Sequence, residues 1–447
     1  MIKCSASSLL SLLVFACLTV SAQAKAPAEQ AARLGNDLTP YGAIRAGNAD
    51  GTIPAWEGGL TRKPAGGNFD PDTGKPTSNP FADEKPLFTV TAGNMDQYAD
   101  KLSAGQQAML KKYPDSYKLC VYPTHRTSAA PQWVYDNIKK NAVNAKLTAN
   151  KEGATGAYGG IPFPLPTEGA ELILNHVIHW EGGDISRDMG ACIVRRDGSR
   201  TVTSYGRYPT HFPYYQKGGS FETWNGYMEM DLNYYYEPPR RKGEIVLVHQ
   251  FLDKSRQAWQ YMPGQRRIRR APSIDYDTPN PTYGGLVVYD DAFIFNGNID
   301  RYDWQLVGRK EMIVPYNNYD VEIVPMDELL TGRHLNPEVV RWELHRVWIY
   351  DATVKDGKRH VYGRRVGHID EDSFMNILED KYDNQGQLWR TAVGCSVHNW
   401  DIPATMRSVS GYYDFQTDTY AAGELWRQRK FEAQDPNLFT TRYLRKA

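Results

Sequence analysis

From about Met189 onward, hairpin follows hairpin and no helix separates one strand from its partner. "ACIVRRDGSRTVTSY" turns at Asp197-Gly198, "YMEMDLNYYYEPPRRKGEIVLVHQFLD" turns across its Pro-Pro-Arg-Arg-Lys-Gly loop, and "RQAWQYMPGQRRIRRAP" turns at Pro263-Gly264. Asp-Gly pairs and Pro/Gly tips between β-branched and aromatic runs are hairpin signals, because such turns match the twist of the strands they join. Further on, "DWQLVGRKEMIVPY" reads as a strand, "RWELHRVWIYDATVKDGKRHVYGRRVGHID" turns at Asp356-Gly357, and "SFMNILEDKYDNQGQLWRTAVGC" turns between Asn384 and Gly386. The strand-helix alternation that a parallel sheet needs for its crossovers is missing. The expected fold is mainly antiparallel β with helices (α+β), its sheet curled into a half-open barrel.

The residues before this array have another texture. Residues 25–166 are rich in Gly, Pro, Asn and Asp, as in "KPAGGNFDPDTGKPTSNP" and "GATGAYGGIPFPLP", and are expected to wrap around the sheet. Short helices interrupt them. Ser103 and Gln106 form a capping-box pattern, Pro131 suits the first position of a helix over "PQWVYDNIKKNAVNAK", and a further helix is expected through "EGAELILNHVIHW". The expected division is a signal peptide at 1–24, a loop-rich segment at 25–166, and the half-barrel with a C-terminal extension at 167–447.

The first 24 residues read as a secretory signal: Lys3, an apolar stretch from Leu9 to Val20, then the small-residue cleavage site Ala22-Gln23-Ala24. An alternative reading makes Cys17 the lipid-modified cysteine of an outer-membrane lipoprotein. Either way the chain is expected in the periplasm. Only Cys120, Cys192 and Cys395 remain after export, so at most one internal disulfide can form and the sequence leaves its pairing open. With 52 Lys+Arg against 52 Asp+Glu, the chain is not a general polyanion binder, and no nucleic acid is expected as a partner.

The run "QRRIRR" at 265–270 stands out against that neutrality. On a strand, however, Arg266, Ile268 and Arg270 point one way and Arg267 and Arg269 the other. Asp253, Glu244, Asp275 and Asp277, together with the rings of Tyr261 and Tyr276, are expected to hold these arginines in ion pairs and stacks.

The 29 Tyr and 11 Trp suit surfaces that meet ligands as well as cores. Trp342, Leu344, Trp348 and Tyr350 alternate along one strand and share a face with Arg346, and Trp259 and Tyr261 alternate on the third hairpin. These six are the candidate ligand-binding residues, a strip lining a cavity for an amphiphile; the plainer reading is an ordinary core strip. No catalytic site is expected, since nucleophile-elbow, phosphate-loop and dinucleotide motifs are all missing. His176 and His179 have a spacing that can hold a metal, but no acid completes a zinc motif, and no metal or cofactor is expected. His345, His360 and His368 lie on neighbouring strands with Glu343 and Asp370, while Asp290-Asp291 and Asp370-Glu371-Asp372 fall at strand ends where turns recruit acids.

The third hairpin, with Trp259, Tyr261, Pro263, Arg266, Arg267, Ile268 and Arg269, resembles one in lipoprotein-sorting proteins such as LolA and LolB. Longer strings resemble the family called domain of unknown function 1329: "YDDAFIFNGNIDRYDWQLVGRKEMIVPYN" from Tyr289, "RWELHRVWIYDATVKDGKRHVYGRR" from Arg341 and "IDEDSFMNILEDKYDNQGQLWR" from Ile369. The resemblance implies a LolA/LolB-like half-barrel whose concave face is covered by helices around an apolar cavity. It also implies association with a resistance-nodulation-division type transporter and an outer-membrane barrel protein. The function expected is binding and transfer of a hydrophobic or lipid-like molecule; the alternatives are a carbohydrate-binding protein or a secreted hydrolase using strand-borne His and carboxylates.

Overall fold

The structure, a computed structural model, describes residues 28–265, 267–271 and 276–446. The expected signal peptide with its Ala22-Gln23-Ala24 site and Cys17, and also Arg266 and Asp275, lie outside the described residues. Fifteen strands build the main sheet. They are β1 (Phe88–Val90), β2 (Leu119–Val121), β3 (Ile185–Val194), β4 (Arg200–His211), β5 (Tyr227–Glu237), β6 (Ile245–Phe251), β7 (Gln257–Met262) and β8 (Arg267–Arg270). After a long crossover come β9 (Tyr302–Pro315), β10 (Trp342–Val354), β11 (Arg364–Asp370), β12 (Asn376–Tyr382), β13 (Leu388–Asn399), β14 (Ala404–Asp414) and β15 (Thr419–Phe431).

The topology is two meanders joined at one seam. Strands β3 to β8 run outward in chain order; β9 starts at the far edge and the strands return in order to β15, which pairs antiparallel with β3. The two outer edges, β8 and β9, do not meet, so the sheet stays open as an antiparallel α+β fold, as expected. All the expected hairpins form. The strands β14 and β15, for which the sequence analysis named no hairpin, occupy the middle of the sheet. From the N-terminal segment, β1 and β2 join beside β10, where Val121 pairs parallel with Trp342.

Three helices lie against this sheet: α1 (Ala104–Lys112), α2 (Gln132–Asn144) and α3 (Gly169–Val177). The Ser103 hydroxyl accepts from the Gln106 amide at 3.2 Å and Gln106 Oε1 accepts from the Ser103 amide at 2.8 Å, closing the predicted capping box at α1. Pro131 stands one position earlier than expected, as the cap of α2. One apolar cluster gathers α2, α3, Tyr214, Phe374 and Trp400; a second joins α1 to Ile313, Ile377, Val393 and Leu425. Cys120, Cys192 and Cys395 are buried free thiols, and burial raises Cys192 to about 11 and Cys395 to about 12. No helix among the described residues is long and apolar enough to cross a membrane.

Three of the expected partners of the arginine run are engaged elsewhere. Glu244 binds Arg241 at 2.9 Å, Asp277 lies 3.3 Å from Arg301, and the Tyr276 ring is stacked under Arg301 at 3.6 Å. Arg267, Arg269 and Arg270 are exposed, and no ion pair or ring contact engages them among the described residues. Their strand is a sheet edge, where charge discourages pairing with a second chain.

Candidate ligand cleft

The crossover from β8 to β9 lies across one face of β3–β6 and encloses a cavity of about 110 Å³. Alternate strand positions supply its floor, because successive side chains on a strand face opposite ways: Arg187 and Met189 on β3, Tyr208 on β4, Asp231, Asn233 and Tyr235 on β5, Val246, Val248 and Gln250 on β6. The crossover supplies the roof with Tyr283, Tyr289, Ala292 and Phe293. Arg187, Phe293 and Asn296 also border a second cavity of about 40 Å³, beside His176, His179, Glu181 and Glu229. Val177 connects that one to a wider space of about 290 Å³ between Leu174, Met228, Phe251 and Ile299, rimmed by Glu152, Lys254 and Asp300. The three adjoin as one cleft, aromatic and aliphatic at one end and polar at the other.

Polar chemistry concentrates where the cavities meet. Arg187 is buried; it donates to Thr210 Oγ1 at 2.8 Å and to Glu181 at 3.4 Å, while its Nε has no hydrogen-bond partner. Glu229 accepts from Gln250 at 2.9 Å, and burial, followed by the neighbouring Asp231, raises its pKa well above the ordinary carboxyl range. Arg187 and Glu229 are thus ionisable groups at the junction of the cavities.

The roof is held down by a buried ion cluster. Arg365, fully buried on β11, binds Asp290 at 2.5 Å, Asp291 at 3.0 Å and Glu379 at 3.1 Å. Lys381 adds contacts to Asp291 and Glu379, His360 lies 3.0 Å from Asp290, and the Tyr362 hydroxyl donates to Asp291 at 2.7 Å. Burial alone would raise the pKa of Asp290; Arg365 and His360 together reverse that and hold it well below the usual range. Two residues after this anchor, Phe293 and Ile294 adopt φ of 55° and 72°. Positive φ is costly for side chains of this size and persists only where surroundings impose it. Here it turns Phe293 into the cleft.

None of the six residues expected to bind ligand borders these cavities. Trp259 and Tyr261 pack with Leu247 and Ile268 under Phe439 and Leu444 near the C-terminus. Trp342 and Leu344 belong to one packed cluster, Trp348 and Tyr350 to the other. The Trp348 ring carries the Arg309 guanidinium at 4.0 Å, and the Tyr350 hydroxyl donates to Glu379 at 2.6 Å. Arg187, Tyr208, Tyr235, Val248 and Phe293 line the cleft. Tyr235 and Val248 lie in stretches read as strand and Arg187 and Tyr208 just beyond the ends of one, but which face the crossover covers was not legible.

The histidines do not converge. His176 accepts from the Asn376 amide at 3.0 Å and lies 3.0 Å from the Phe295 carbonyl, so α3 is tied to both sheet and roof. His179 stacks on it, with ring centres 5.4 Å apart. His360 serves the ion cluster, and His368 lies 3.4 Å from the Leu378 carbonyl. Atoms of His345, Asp370 and Asp372 do come within 4.8 Å of one another, but most are committed. Arg126 binds both Asp372 oxygens at 2.8 and 2.6 Å, His345 lies 2.9 Å from Glu343, and Asp370 Oδ2 accepts from Ser373 at 2.6 Å and Tyr316 at 3.1 Å.

The triplet at the end of β11 opens a turn, as expected, but is buried there, and burial with the Asp372 charge raises Asp370 to about 6 and Glu371 to about 7. A carboxyl raised in the folded state keeps its proton after the unfolded chain has lost it. Its contribution therefore favours the fold at low pH and is lost as pH climbs from about 4 towards 7. Asp370→Asn, which cannot ionise, is expected to gain about 2 kcal/mol on wild type between pH 4 and pH 8. Urea unfolding at both pH values checks this, and a constant difference would contradict it.

Residues 89–445 match the family described as protein of unknown function (DUF1329). The chain belongs to that family. An uncharacterized protein of Pseudomonas aeruginosa is 38% identical over 439 residues, covering 95% of this chain and 93% of its own. Among solved structures, a domain described as an outer membrane lipoprotein-sorting protein domain from Vibrio parahaemolyticus is similar at 15% identity and TM-score 0.43, over 62% of this chain and 97% of that one. A LolA superfamily protein from Nitrosomonas europaea is similar at 13% identity and TM-score 0.38, over 62% and 100%. The three strings that carry the DUF1329 resemblance are also those that build the roof anchor: Asp290 and Asp291 come from the first, Arg365 from the second, Glu379 and Lys381 from the third.

Proposed function

We propose that this DUF1329 protein binds a hydrophobic or amphiphilic molecule in the cleft beneath the crossover and transfers it. The observation that carries the reading is the cleft itself: an aromatic and aliphatic chamber joined, through the buried Arg187 and the half-buried Glu229, to a wider polar mouth. Apolar ligand surface moved into such a chamber gains ~25 cal/mol per Å² removed from water. The junction groups would orient a polar head while the tail lies against Met189, Tyr235 and Val248. Small-molecule sites are commonly built this way, as apolar concavities with a few convergent polar groups.

Work in the periplasm, between an inner-membrane exporter and an outer-membrane partner, is the finer form of this proposal. It rests on the leader sequence and on the family resemblance. Protein purified from its native compartment and extracted with organic solvent should release a lipid-like molecule in about stoichiometric amount, seen by mass spectrometry. The purified chain should also take up an apolar fluorescent probe. No extracted molecule and no probe uptake would sink the carrier reading and bring the sugar-binding alternative forward.

A further inference from the structure

We propose that the basic rim around β8 docks the protein on an anionic phospholipid bilayer. This deepens the ligand-carrier reading, because it names the surface the cleft would face. The chain is neutral overall, yet exposed cations collect at this end of the sheet. Arg267, Arg269 and Arg270 stand on the edge strand. Arg240 and Lys242 stand on the β5–β6 turn, where Gly243 approaches Pro263 at the tip of the β7–β8 turn. Arg442, Arg445 and Lys446 flank Tyr443 and Leu444, which pack against Trp259, Tyr261 and Ile268 of the same hairpin. No ion pair engages any of these cations among the described residues; the exposed acids of the neighbouring segments are Glu237 and Asp435.

The rim is continuous with the cleft wall. Val246, which lines the main cavity, pairs with Gln260, and Gln260 pairs with Arg269. Two strand spacings place Arg269 about 10 Å from that wall. The partner is read as a bilayer because the cations splay off both faces of an edge and come from three segments. Recognition of a duplex or an acidic protein would want them aligned on one face, whereas a headgroup layer is a plane of diffuse charge that splayed arginines can enter. Tyr236, 40% exposed at the end of β5 beside these cations, is the type of side chain that settles at a membrane–water interface.

Each basic residue near an anionic leaflet strengthens adsorption about fivefold, an effect that salt screens. The test is sedimentation of the full chain with phosphatidylcholine vesicles, with and without phosphatidylglycerol. Wild type is expected to bind only the mixed vesicles and to release them at high salt. The triple variant Arg267→Gln, Arg269→Gln, Arg270→Gln is expected to bind at least about tenfold more weakly. Its melting temperature and its probe uptake in vesicle-free solution should not change, and Lys139→Gln with Lys140→Gln on α2 should bind as wild type. Equal binding to uncharged vesicles, an unaffected triple variant, or tighter binding to duplex DNA than to the mixed vesicles would overturn the proposal. Failure of the wild type to take up probe would overturn the cleft reading instead, since the vesicle measurement does not depend on it.

Discussion

Replacing Arg365 by methionine is expected to destabilise the protein by about 3–5 kcal/mol, the range seen when one partner is removed from a buried ion cluster. Arg365 is fully buried and faces Asp290, Asp291 and Glu379, so the variant leaves three carboxylates with only Lys381 and His360 close by. Methionine fills most of the same space, so lost volume contributes little and uncompensated charge dominates. Denaturant unfolding measures the loss. Probe uptake should fall even in the folded fraction, because the anchor that positions the Phe293 roof is gone. If the unfolding midpoint hardly moves, the cluster does not hold the roof, and its link to the cleft is wrong.

Val248→Trp is expected to abolish probe uptake while leaving the fold nearly intact. In a filled core, added bulk forces strained rotamers at a cost of ~1–3 kcal/mol. Val248 instead lines the cavity of about 110 Å³ beside Tyr208 and Tyr235, so the added bulk has open space to enter. The ring would occupy the volume meant for the ligand tail, and affinity should drop by more than about tenfold, a difference of ~1.4 kcal/mol or more. Fluorescence titration and circular dichroism separate the outcomes. Retained binding would mean that ligand lies elsewhere; unfolding would mean that the space beside Val248 cannot open.

The hairpins were legible because their turns carry their own chemistry: Asp197-Gly198, Asp356-Gly357 and the Asn384–Gly386 turn announce themselves without knowledge of the rest of the chain. Strand β14 could not be found in that way. Its eleven residues, "ATMRSVSGYYD", are all buried, so both faces are covered and the polar-apolar alternation that marks a half-exposed strand disappears. Charge misled in the same sense. Arg365, Arg407 and Arg429 are almost wholly buried, Arg429 against Glu322, whereas sequence reasoning places arginine at the surface. The aromatic strip from Trp342 to Tyr350 was legible as a strip, but it packs in the two core clusters. Arg187, Tyr235 and Val248 could not be named, since facing the cleft depends on a crossover that reaches from one sheet edge to the other.

The seam between β3 and β15 has a consequence for synthesis. Within each meander, a strand finds its partner as soon as the next turn has been made, so each half can zip up locally. The inner edge of β3 is different: Ile185 to Val194 must wait for Thr419–Phe431, which follow only after both meanders' other strands. Until then the nascent chain carries a long open edge, with the unpaired amides and carbonyls that invite wrong pairings. The sheet becomes whole only when the last strand of the second meander has been made.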